Sequence, residues 1–252
     1  MAELRVENFG KHIALITLDN EPKRNAITRQ MLFDLADLWD ELARSEHRCI
    51  VITGTGNKGF CAGADVSGDL SASPDTVAKI NKALLKTEIF PKPIIAAVNG
   101  DCVAGGVELM LASDIRAAAP HARFGLPEVR LSIYPFGGAT VKLIHQIGYV
   151  HAMKLILGAE LMEAEEALRI DLINEIIDTH SLIDWALNMA DTIAANSPSA
   201  VQAVKRKIST EIAEHALTQE ALDQKLGDAV RHSAHFKEGV AAFLEKRKPN
   251  YD

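Results

Sequence analysis

The chain is poor in cysteine, and Cys49, Cys61 and Cys102 lie far apart with no C-x-x-C pair among them. That excludes a disulfide framework and a zinc knuckle, and leaves all three expected as small buried residues. Positive charge is also scarce, with 27 Lys and Arg against 34 Asp and Glu for a net charge of −7. Nucleic-acid binding is led by clustered basic side chains, and no basic stretch interleaved with aromatics occurs, so no nucleic-acid partner is expected. No apolar run approaches the ~18 residues of a bilayer span, and Met1-Ala2-Glu3-Leu4-Arg5 lacks a signal-peptide pattern. A soluble, cytoplasmic protein with no membrane partner is the expectation. Neither a G-x-S-x-G elbow nor an H-E-x-x-H pair is present, and His232 and His235 have no evident third ligand. No metal is expected.

What remains is an ordinary globular composition, 48% apolar and 24% charged over 252 residues. The length suits a main domain with a helical appendage, here read as a core over residues 1–195 and a C-terminal helical region over 196–252. Apolar Ile13, Leu15, Ile16 and Leu18 predict a strand. Thr28 is placed to cap a helix whose apolar face is Met31, Leu32, Leu35, Leu38, Trp39 and Leu42. A strand over 49–53 comes next, then a surface loop over 68–75 able to move over a ligand, and a helix over about 76–88. From about residue 140 the pattern is helical apart from a short strand near 173–177. Alternation of this kind predicts an α/β fold.

The densest information lies in Val98-Asn99-Gly100-Asp101-Cys102-Val103-Ala104-Gly105-Gly106-Val107-Glu108-Leu109. Residues 94–98 read as a buried strand, and Gly105 and Gly106 as the start of a buried helix, where unpartnered N–H groups and the dipole favour negative charge. Glu108 sits in the opening turn, in reach of a carbon beside a bound carbonyl. A plain packing turn with a dipole-satisfying glutamate explains this stretch equally well. Gly54-Thr55-Gly56-Asn57-Lys58-Gly59 matches G-x-G-x-x-G after a strand. The adjoining residues Phe60-Cys61-Ala62-Gly63-Ala64-Asp65 open no helix at the glycines, and a dinucleotide site fails on that context.

Together the F-x-A-G-A-D and N-G-x-x-x-G-G-x-x-E stretches resemble the crotonase superfamily, also called the enoyl-CoA hydratase/isomerase family. The resemblance extends from LDNEPKRNAI at 18–27, through Phe124-Gly125-Leu126-Pro127-Glu128, to Phe243-Leu244-Glu245-Lys246-Arg247-Lys248. It implies a core of repeated ββα turns in a superhelix, followed by a C-terminal helical trimerisation region, with homotrimers often paired into hexamers. It implies that backbone N–H groups of Ala64 and Gly105 hold a thioester oxygen, each donor contributing roughly 3 to 4 kcal/mol to barrier lowering. Glu108 and Glu128 fall on the two carboxylates that add water to a trans-2-enoyl-CoA. An enoyl-CoA isomerase using one carboxylate, or another enolate-forming enzyme, is the alternative, and a non-catalytic CoA- or RNA-binding member a third reading. For Glu128 the competing explanation is a loop carboxylate paired with Arg130 or Arg123.

By the same resemblance, coenzyme A arrives as part of the substrate and no cofactor is tightly bound. The acyl-CoA would lie along Ala62, Gly63 and Asp65 and the backbone near Lys23, Arg24 and Ala26, with Lys58 a further cation and Phe243 and Lys246 approaching from the C-terminal end. Phe136, in Tyr134-Pro135-Phe136-Gly137-Gly138, departs from the small residue usual there. An inward ring would shorten or reshape the acyl pocket.

Overall fold

A computed structural model describes residues 2–65 and 73–252. Strands β1 (Glu3–Phe9) and β2 (Ile13–Asp19) form an antiparallel hairpin, and α1 (Arg29–Arg44) comes next, with Thr28 Oγ1 accepting from the Met31 N–H at 3.2 Å as its N-cap. From β3 (Cys49–Gly54) the chain repeats one manoeuvre. It runs along a large sheet, turns into a small one, and returns through a helix. Thus β3 leads to β4 (Gly59–Cys61) and α2 (Pro74–Ala83), while β5 (Ile94–Val98) leads to β6 (Asp101–Val103) and α3 (Gly105–Met110). Next, β7 (Ile115–Ala118) leads to β8 (Arg123–Gly125), a 3-10 turn (Pro127–Leu131) and α4 (Ala139–Gly158). Then come β9 (Met162–Glu163), α5 (Ala164–Arg169), β10 (Glu175–Ile176), α6 (Leu182–Ala194), the long α7 (Pro198–Arg231) and α8 (Ala234–Leu244).

The large sheet is ordered β1-β2-β3-β5-β7-β10 and the small one β4-β6-β8-β9, parallel except at β1–β2 and β8–β9. Parallel strands covered on both faces read as continuous apolar runs. Alternate residues of one strand serve two cores: Ala14, Ile16 and Leu18 pack with Leu35, Trp39 and Met110, whereas Ile13 and Leu15 pack with Leu182, Ala186 and Ala190 of α6. At ~25 cal/mol per Å² of apolar surface removed from water, this double coverage is what holds the central strands in place.

Several expectations need correction. Helix α2 ends at Ala83, not near 88, because Leu85 turns left-handed (φ 46) while the Leu85 and Lys86 N–H groups bond back to Lys82 and Asn81. The helical stretch after 140 is kinked at Gly148 (φ 76) and interrupted by β9 as well as by β10. Most of the loop foreseen over 68–75 lies outside the described residues. All three cysteines are buried and free, as anticipated. Among the described residues no helix is long and apolar enough to cross a membrane, and no cluster of potential metal ligands occurs.

Candidate active site

Residues 62–65, which follow β4, and the turn β6→α3 meet at one place. Strand pairing sets Cys61 beside Cys102, and the two loops leave the small sheet in contact. A Cβ on Gly105 would lie 3.6 Å from Gly63 Cα and 3.7 Å from the Ala64 amide nitrogen. Ala64 is fixed from its other side, where the Ile27 N–H donates to Gly63 O (2.8 Å) and the Asp65 N–H to Ile27 O (2.9 Å). Ala104, at φ 54, turns the chain sharply into α3, a conformation that costs energy for any residue with a Cβ. Close approach explains Gly106, where a Cβ would strike the Cys61 carbonyl. Neither the Ala64 N–H nor the Gly105 N–H donates to another group among the described residues. Two amides are thus held side by side and left available, the requirement for an oxyanion hole.

Glu108 points from α3 into the protein, 5% exposed. Its Oε1 accepts from the Ala139 N–H at 3.3 Å, and Gly137 packs directly on Oε2. Glu128, on the 3-10 turn, is also buried, and its Oε2 has no hydrogen-bond partner. Burial pushes the Glu108 carboxyl up to about 7 and that of Glu128 up to about 8, with the charge of Glu108 a second cause for Glu128. The arginines that would have given Glu128 a structural role are engaged elsewhere. Arg123 clasps Asp101 with two bonds of 2.9 and 2.8 Å, and Arg130 donates to Ala159 O.

The two segments expected to cradle coenzyme A are brought together, with the Ala62 N–H donating to Arg24 O at 3.0 Å and Lys23 Nζ 2.7 Å from Asp65 Oδ2. Ala26 is buried beside them. Close by, Arg24, Asn57, Lys58, Asp101, His121 and Arg123 line a depression of about 470 Å³. Three permanent cations there face one carboxylate. Phe243 and Lys246 are not joined to this group: they sit at the end of α8, which packs on the Glu128 turn, and no hydrogen bond or ion pair among the described residues ties them to residues 23–26 or 62–65. Phe136 does not enter beside Glu108; its ring rests on Gly227 of α7.

Reading the sequence missed the residues that brace this arrangement. The Asn99 side-chain amide donates to the carbonyls of Gly54 (2.9 Å), Gly56 (2.7 Å) and Gly59 (3.2 Å) and accepts from the Gly54 N–H, while Asn25 donates to Gly59 O and Thr55 O. Lys142, fully buried, donates to Leu84 O and Leu85 O, and burial pushes its ammonium down to about 7. In sequence Asn99 and Asn25 stand inside quoted stretches with no role read for their side chains, and Lys142 is an ordinary charge; only spatial proximity reveals what they brace. Cys61 is no nucleophile, since burial pushes its thiol up to about 12.

The fold thus brings together two adjacent amides with no acceptor among the described residues and two buried carboxyls of raised proton affinity. Comparison with known proteins gives that chemistry a lineage: the family model for enoyl-CoA hydratase/isomerase matches residues 8–252, and the chain belongs to that family. It is 36% identical over 254 residues to enoyl-CoA hydratase EchA19 of Mycobacterium tuberculosis, covering 98% of this chain and 95% of the relative. It is 35% identical to the 2,3-dehydroadipyl-CoA hydratase of Escherichia coli, covering 100% of this chain and 99% of that one. Among solved structures, a carnitinyl-CoA hydratase from Mycobacterium avium superposes with a TM-score of 0.90 at 34% identity, covering 99% of this chain and 98% of that chain. The fold is therefore the α/β crotonase-like superhelix with a helical C-terminal part.

Proposed function

We propose that the protein is an enoyl-CoA hydratase, adding water across the double bond of a trans-2-enoyl-CoA. The observation that carries this reading is the second buried carboxyl: Glu128 stands beside Glu108 with an unpartnered oxygen, and an isomerase needs only one such group. In the reaction, the N–H groups of Ala64 and Gly105 hold the thioester oxygen as the enolate forms. Each is fixed before substrate arrives, so no reorganisation is needed when charge develops. One carboxyl of the pair, ionised, takes a proton from water as it attacks the β carbon, and the other, protonated, supplies the α carbon. Raised proton affinity keeps one proton on the pair near neutral pH, which is the state this division of labour requires.

The pantetheine and nucleotide of coenzyme A pass along Ala62, Gly63 and Asp65 and by Lys23, Arg24 and Ala26, with Arg24, Lys58 and Arg123 at hand for phosphate. No other cofactor takes part. Names of the relatives support hydration as the reaction and CoA thioesters as the substrates. The decisive experiment tracks the loss of conjugated enoyl absorbance, with mass spectrometry for the gain of water. Glu108→Gln and Glu128→Gln should each lower turnover at least about a hundredfold. Proton exchange without water addition, or full activity in Glu128→Gln, favours the isomerase.

A homotrimer, singly or paired as a hexamer, is the assembly we propose. Apolar side chains left exposed on α4 and α7, among them Tyr149, Val150, Leu157, Val204, Ile208 and Leu217, are its support. Sedimentation equilibrium should give a multiple of three chains; a monomer at micromolar concentration refutes it.

A further inference from the structure

Glu108 is gripped from one side by three consecutive residues. The Ala139 N–H donates to its Oε1 at 3.3 Å, Gly137 lies so close that a Cβ there would strike Oε2, and Gly138 joins the two. A Cβ on Gly138 would instead meet the stem of Lys142, with Cε at 3.5 Å and Cδ at 3.6 Å. Lys142 stands one turn into α4, its backbone N–H donating to Gly138 O at 2.9 Å. From there its side chain crosses to the turn after α2, where Nζ donates to Leu84 O at 3.0 Å and to Leu85 O at 2.8 Å. That turn closes the circuit, because the Leu84 side chain also packs on Gly137. Carboxyl, glycine pair, lysine and turn are thus held against one another.

An ammonium is a costly choice for a mere pin in a buried place. Its hydrogen bonds go to two carbonyls and not to a carboxylate, and an apolar side chain would fill the space without desolvating a charge. What the charge does act on is Glu108. Burial raises the proton affinity of Glu108 and the charge of Lys142 pulls it back; burial lowers that of Lys142 and the charge of Glu108 pulls it back. Each group therefore favours the ionised form of the other. Other charges face the pair from the elements packed around it. Glu128 lies on the 3-10 turn, and Lys86, after α2, also attracts Glu108 but is held by Glu220 and Asp223 of α7. Tyr134 gives its hydroxyl proton to Asp223. Arg116 of β7 and Lys205 of α7 oppose the charge on Lys142, and Lys205 is paired with Asp114 at 2.7 Å. Of these cations, Lys142 is the one that braces the grip on Glu108 and gives its hydrogen bonds to carbonyls of the adjoining turn.

We propose that Lys142 is a positioning residue for the reaction, bracing residues 137–139 around Glu108 and, through its charge, holding that carboxyl in the ionised form that can accept a proton. The kinetic consequence rests on the hydratase reading; the coupling of the two side chains belongs to the fold.

The test follows enoyl-CoA hydration against pH in the natural protein, Lys142→Met and Lys142→Arg. In Lys142→Met the acid limb of kcat should move up by about one pH unit, so that turnover on that limb falls about tenfold, the effect of unit charges on the order of 10 Å apart in a protein interior. KM should change far less, and Lys142→Arg, which keeps the charge, should bring the limb back. A Lys142→Met profile lowered by one factor at every pH, with its limb in place, overturns the proposal, as does an arginine variant whose limb matches that of Lys142→Met. Carbon-13 NMR titration of labelled glutamate and lysine side chains needs no turnover. By reciprocity, Glu108→Gln should lower the proton affinity of Lys142 by as much as Lys142→Met raises that of Glu108, again about one unit. That result in a protein that adds no water upholds the coupling while the hydratase reading fails. A Lys142 titration unmoved by Glu108→Gln refutes the coupling whatever the activity. Where Lys142→Met does not fold by circular dichroism, the titration of Lys142 in Glu108→Gln decides.

Discussion

Burial raises the proton affinity of both Glu108 and Glu128, the charge of Glu108 adds to the shift of Glu128, and activity and stability both inherit that shift. Below the range in which the pair gives up its first proton no base exists, and above the second no acid remains. The rate should therefore rise to a maximum near neutral pH and fall on either side. For stability the sign is set by proton affinity raised on folding: whatever the protonated pair contributes is intact below the usual carboxylate range and drains away as pH rises through the folded values. Glu128→Gln should accordingly melt higher than the natural protein at pH 9, by at least about 1 kcal/mol, and show little advantage at pH 5. An unchanged difference across that range would refute the burial argument. Ala64, Gly105, Glu108 and Glu128, the positions proposed to act in the reaction, were readable because motif spacing carried them. Lys86, Lys142 and Asp223 were not, because each reads in sequence as a solvated charge and becomes unusual only through what the fold places around it.

At the scale of elements, two neighbouring glycines separate packing from chemistry. A methyl group at Gly105 meets nothing nearer than 3.6 Å, while one at Gly106 collides with the Cys61 backbone, which cannot yield without parting α3 from the small sheet. Gly106→Ala should cost at least about 2 kcal/mol in urea denaturation and Gly105→Ala far less. Similar losses at both positions would refute the close-approach account. Strands β2, β3 and β5 and helix α1 were legible because burial on both faces, or one clean apolar stripe, writes itself into residue order. Strand β1 was not, since it is exposed and polar along most of its length and owes its form to β2. The strands of the small sheet are two or three residues long and carry no period at all.

Across the molecule, the superhelix repeats in geometry and not in sequence, which is why periodicity did not disclose it and resemblance did. Its successive turns are tied by Asn99, whose amide spans three carbonyls of the preceding turn. That residue is followed by Gly100, the neighbour that most readily lets an asparagine amide cyclise onto the chain and hydrolyse. While folded, the amide is immobilised and out of reach; each excursion to the unfolded chain frees it. An acid formed there would bring a carboxylate against carbonyl oxygens that need a donor, so a momentary opening becomes permanent damage. The residue that staples the turns together thereby also sets how the protein ages.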